Sequence, residues 1–148
     1  MPMSPLKKVL AIVFVLALSY IAYQESPDNA LRESVEYPSS TALDDAIDGR
    51  RSDYQVQGSG VIDRLLSDDN DGSRHQRFIV RLDSGRTVLV AHNIDLAPRV
   101  PNLQKGQQVS FFGEYEWNER GGVIHWTHHD PRGQHVGGWI DYKGRRYQ

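Results

Sequence analysis

From Gln107 to Trp117 the chain reads QQVSFFGEYEW, with Val109, Phe111, Gly113, Tyr115 and Trp117 on every second position. A period of two turns all five toward one face of an extended strand, a pattern that no helix can bury. Four further segments carry strand character: Tyr54–Leu66 (YQVQGSGVIDRLL), His75–Leu82 (HQRFIVRL), Arg86–His92 (RTVLVAH) and Val123–His129 (VIHWTHH). Gly58 and Gly60 interrupt the first, where glycine marks a bulge or a sharp bend. Asp83-Ser-Gly-Arg86 predicts a tight hairpin, and Asn118–Gly122 a second turn. Residues 93–106 leave room for one short helical turn ended by Pro98. Five strands with the first one bent predict a mainly β fold, a small five-stranded closed barrel of the OB type. A β-sandwich ranks second because it usually draws on about seven strands.

Ahead of the barrel lie two segments of different character. Lys7 and Lys8 precede an apolar run from Val9 to Tyr23, interrupted by Ser19 and followed by Glu25 and Asp28. This run suits either an uncleaved membrane-anchor helix or a signal helix. The charge order places the N-terminus inside and the remainder of the chain outside. The expected localisation is therefore the bacterial inner membrane, single pass with the C-terminal domain in the periplasm, or, for a cleaved signal, secretion to the periplasm. Residues 24–53 read as a polar tether that ends in one short amphipathic helix. Thr41-Ala-Leu-Asp44 opens that helix, Leu43, Ala46 and Ile47 form its apolar face, and Gly49 stops it. The domain division is thus 1–23 for the anchor or signal, 24–53 for tether and helix, and 54–148 for the barrel with an irregular C-terminal extension.

Charge is unevenly spread. Gln24–Asp71 holds 12 acidic and 4 basic residues, whereas Gly72–Gln148 holds 7 acidic and 11 basic residues together with all 6 histidines. Such asymmetry suits a surface facing a polyanion. With no cysteine in the chain, disulfide scaffolds, thiolate zinc sites, iron–sulfur clusters and cysteine nucleophiles are excluded. Ser67-Asp-Asp69-Asn-Asp71-Gly72 has the look of a calcium loop, but its twelfth position is Phe78 where a bidentate Glu is needed.

Two groups of residues can carry chemistry. The first is His125, His128, His129, Asp130 and His135, since imidazole and carboxylate are the usual nitrogen and oxygen ligands for zinc or manganese. On one unbroken strand His125 and His129 would stand about 13 Å apart. Pro131 and Gly133, however, predict that the strand ends near Asp130, which lets the later residues converge in a loop. A four-residue turn at Asn118–Gly121 sets Glu114 opposite His125, so these two are the catalytic candidates, the carboxylate serving as base or as a partner that orients the imidazole. The second group is Arg74, His75, Arg77, His92, Asp95 and Arg99, expected at the open end of the first hairpin. A two-residue Ser84-Gly85 turn would set Arg77 opposite His92. Arginine beside histidine suits phosphate or carboxylate recognition.

The segments GSRHQRFIVRL, VLVAHNIDLAPR, GEYEWNERGGVIHWTHHDPRGQHVGGWI and KGRRYQ resemble the bacterial family catalogued as domain of unknown function 3465. The resemblance spans roughly Gln55 to Gln148 and implies a small exported or anchored domain. It supplies neither an activity nor catalytic residues. The leading expectation is a membrane-tethered binding module for single-stranded nucleic acid, another polyanion or an envelope protein. Arg74, Arg77, Arg81, Arg86 and Arg99 would form a basic groove, and Phe112, Trp126 and Trp139 would stack on bases. A metal-dependent hydrolase of the phosphodiesterase or nuclease kind, with Arg77 holding phosphate, is the alternative.

Overall fold

The structure, a computed structural model, describes residues 40–148. The expected anchor or signal and most of the tether lie outside the described residues. Among the described residues no helix is long and apolar enough to cross a membrane. One helix, α1 (Ser40–Asp48), is followed by β1 (Tyr54–Leu65), β2 (His75–Leu82), β3 (Thr87–Asn93), β4 (Gln108–Glu116), β5 (Val123–His125), β6 (Trp139–Tyr142) and β7 (Arg145–Tyr147). The strands neighbour one another in the order β1-β2-β3-β5-β4, and β4 pairs back onto β1 to close the barrel. Every pairing is antiparallel except β3 with β5. That connectivity, with one parallel joint, is the OB barrel.

The alternation read in β4 holds. Val109, Phe111 and Tyr115 are buried and point inward with Val56, Ile62, Phe78, Val80, Val88, Val90 and Ile124. β1 serves two neighbours, pairing with β4 through Val61 and with β2 from Gly60 onward. At the changeover a Cβ on Gly60 would lie 2.3 Å from the Arg81 carbonyl oxygen, so only glycine permits this close crossing. Helix α1 plugs one end of the barrel with Leu43 and Ala46, both buried. Gly58 makes room for it, because a Cβ there would meet the Phe111 ring at 2.6 Å and Leu43 at 3.2 Å.

Three expectations are corrected. The fifth strand does not run from Val123 to His129 but stops at His125. Its pairing edge on β4 is then resumed by β6: β5 sits against Glu114–Glu116 and β6 against Ser110–Phe112, in the same direction. The C-terminal extension is therefore a regular β6–β7 hairpin, and residues 126–138 form an excursion within what is functionally one strand. Its ends meet where Gly138 donates its N–H to the His128 carbonyl at 2.9 Å, the geometry of an Ω-loop. Residues 94–106 carry turns and no helix. They are tied down by Gln76, whose buried amide exchanges two hydrogen bonds of 2.9 Å with the Val100 backbone.

The β2–β3 hairpin is also one residue off the expected register. Leu82 bonds back to Arg86, giving a three-residue loop in which Gly85 takes φ 82°. Gln76, not Arg77, therefore opposes His92. Because side chains alternate, the slip sends His92 to the buried face and leaves His75 and Arg77 on the outer one.

Candidate functional site

The arginines expected to form a basic groove face carboxylates. Arg74 Nε contacts Asp95 at 2.7 Å, Arg77 lies 3.6 Å from Asp69, Arg81 lies 3.9 Å from Asp63, and Arg99 pairs with Asp68. Arg86 bridges Asp44 at 2.9 Å and Asp48 at 2.7 Å. The Arg74 backbone N–H and guanidinium together hold the Asp95 carboxyl below its ordinary range. The acidic Ser67–Asp71 segment thus supplies counter-ions for Arg77 and Arg99, which explains its composition without a calcium ion.

His92 is fully buried, and both ring nitrogens are taken. The Pro98 carbonyl at 3.2 Å can only accept, so Nε2 carries the proton; Nδ1 then accepts from the Thr127 hydroxyl at 2.8 Å. Burial pushes its pKa down to about 4. The register thus separates His92 from Arg77, and His92 is a neutral clamp between the hairpin and the Ω-loop. His75 stays half-buried on the outer face and donates Nδ1–H to Ser73 at 2.8 Å.

The Ω-loop gathers the histidines, but they do not form the expected metal set. Asp130 turns its carboxylate onto its own loop, accepting N–H groups from Arg132 at 2.9 Å, Gln134 at 2.7 Å and His135 at 2.8 Å. These backbone bonds, that of Arg132 foremost, hold its carboxyl below the usual range. Buried His128 donates Nδ1–H to the His129 carbonyl at 2.9 Å, and His129 is exposed. At the start of the loop Trp126 sits at φ 53°, a left-handed conformation rare for a bulky side chain. Its indole stacks on the His135 ring at 3.9 Å, nearly parallel at 6°. Leu96, Trp126, Pro131, Arg132 and His135 surround a cleft of about 570 Å³, while His75, Asn93, His125 and His128 line a smaller recess of about 190 Å³ beside it.

Beneath the loop stands the Glu114 cluster. Glu114 opposes His125, as the four-residue turn requires. One carboxylate oxygen accepts from His135 Nε2 at 2.7 Å, and the other lies 3.4 Å from His125 Nε2. Burial lowers the His125 pKa, against the pull of Glu114 and Glu116. Among the described residues, the trio of metal-ligand type with donor atoms all within 4.8 Å is Glu114, Glu116 and His125. Of the five residues in the expected metal set only His125 belongs to it, and His135 reaches it through Glu114. Glu116 was missed although its signal was present: two residues beyond Glu114 on a strand, it shares that residue's face.

This is an OB-type barrel whose outer face is overlaid by a histidine-bearing Ω-loop. The chain belongs to the family described as Protein of unknown function (DUF3465), which matches residues 28–148. Among curated proteins no match was found.

Proposed function

We propose that the protein is a membrane-tethered, periplasm-facing binding module, and that its ligand is a segment of another envelope protein seated over Trp126. The carrying observation is the cleft of about 570 Å³. Its walls offer an aromatic face, the proline ring of Pro131 and Leu96, which is 46% exposed. Clefts of this size and character accept one or two apolar anchor side chains, and arginine and polar groups at the edge add register. Nucleic acid ranks lower, because the five arginines of the expected groove already face carboxylates. Support for the tether and its orientation comes from Lys7 and Lys8 ahead of the apolar Val9–Tyr23 run.

A photo-crosslinking amino acid at position 96 in living cells tests the ligand class. The expected result is a discrete protein adduct that disappears in Trp126→Ala. No adduct, combined with salt-sensitive binding of a single-stranded oligonucleotide, would transfer the assignment to nucleic acid. A periplasmic reporter fused after Gln148 is expected to be active, and activity of a cytoplasmic reporter alone would overturn the orientation.

Metal-dependent phosphodiester hydrolysis is the second reading. One observation favours it, the contact of Glu114 with His125. Against it, Arg77, the expected phosphate holder, is committed to Asp69 and to the Ser67 carbonyl at 3.1 Å.

A further inference from the structure

We infer that Glu114, Glu116 and His125 bind one divalent first-row transition ion on the outer face of the barrel, with Gln55 as a fourth donor. Three neighbouring strands bring these groups into one row. Gln55 on β1 lies directly across from Glu114 on β4, and Glu114 directly across from His125 on β5. Directly paired residues on adjacent strands project to the same side of the sheet.

The hydrogen bonding of this row is incomplete. His125 Nε2 and Gln55 Oε1 are both shielded from solvent, and neither has a hydrogen-bond partner. Buried polar atoms of this kind are uncommon and costly, and here they belong to the two residues paired directly across from Glu114. His135 occupies one oxygen of Glu114 and leaves the other turned to His125. A cation between Glu114, Glu116 and His125 would satisfy the imidazole nitrogen and both carboxylates at once. One imidazole nitrogen among carboxylate and amide oxygens suits zinc or manganese better than calcium or a thiolate-seeking ion. His135 would then act as a positioning residue, holding the Glu114 carboxylate in the orientation that the ion requires.

The test uses the full chain, purified without a histidine tag, stripped with a chelator and titrated with zinc chloride and, separately, manganese chloride. One ion per chain is expected. Glu116→Gln and His125→Asn are each expected to weaken binding at least about tenfold, as loss of a ligand does, with His129→Ala unchanged. Manganese is also expected to broaden the side-chain amide resonances of Gln55 in the wild-type protein, a readout that needs no variant to fold. Absence of binding, binding undiminished in both Glu116→Gln and His125→Asn, or binding abolished by His129→Ala would overturn the site. The position-96 adduct is independent of these outcomes, so failure of the metal site and failure of the protein-ligand reading are separable.

Discussion

His92 carries the largest single consequence at the scale of one residue. Its pKa falls from 6.5 to about 4 on folding, so the unfolded chain binds the extra proton first as pH drops. The stabilisation it gives is complete above about pH 6.5 and lost progressively as pH falls toward 4. A shift of that size corresponds to about 3 kcal/mol. Urea unfolding of the wild-type protein between pH 7.5 and 4.5 is expected to show this decline, and His92→Gln to flatten it at the cost of lower stability at pH 7.5. An unchanged slope in His92→Gln would place the acid sensitivity elsewhere. The lowered pKa of His125 acts in the same direction, whereas Asp130 acts below the ordinary carboxylate range, in a separate pH window.

At the scale of elements, the split fifth strand decides where chemistry can reside. Gly138 closes the Ω-loop against β4, and a Cβ there would lie 2.2 Å from the carbonyl oxygens of both Phe112 and Trp126. Gly138→Ala is therefore expected to cost about 2–3 kcal/mol in thermal or urea unfolding, since neither backbone can yield without opening the loop. Gly144, at φ 74° in the β6–β7 turn, has open space around it. Gly144→Ala should cost only about 1 kcal/mol, from backbone strain alone. Equal losses would mean that contact at Gly138 is relieved locally. The strands themselves were legible in the sequence, because alternation in β1, β2, β3 and β4 is a property of each segment. The Glu114–His125 pairing was legible as well, since a short turn fixes register locally. What could not be read was register set by a glycine in a left-handed conformation, as at Gly85, or a partner supplied from far along the chain. Gln55 beside Glu114 and β6 taking over the edge from β5 are both of this second kind.

Among the described residues, acidic side chains from the first half of the sequence pair in space with arginines from the second. Arg86 is the clearest instance, joining the β2–β3 hairpin to α1 through Asp44 and Asp48, with the Ser84 hydroxyl donating to Asp44 at 2.8 Å. Arg86→Ala is expected to loosen the plug and lower the urea-unfolding midpoint only slightly, because the pair is partly open to water. Addition of 0.5 M salt to the wild-type protein should approximate the same loss. A large fall of the midpoint in the variant would show that α1 leaves the barrel altogether. The linear charge split therefore describes the partners of these ion pairs more than it describes a ligand.

The seam between β1 and β4 also fixes an order of assembly. The β2–β3 hairpin can zip as soon as its own residues are available, but β1 finds its second partner only after all of β2, β3 and the loop beyond them have been made. Ring closure over so long a separation is entropically slow, which places folding on a millisecond-to-second scale. Until β4 arrives, β1 is an unclosed edge and its inward face remains uncovered. A chain built this way stays open for most of its length and commits to its final shape late.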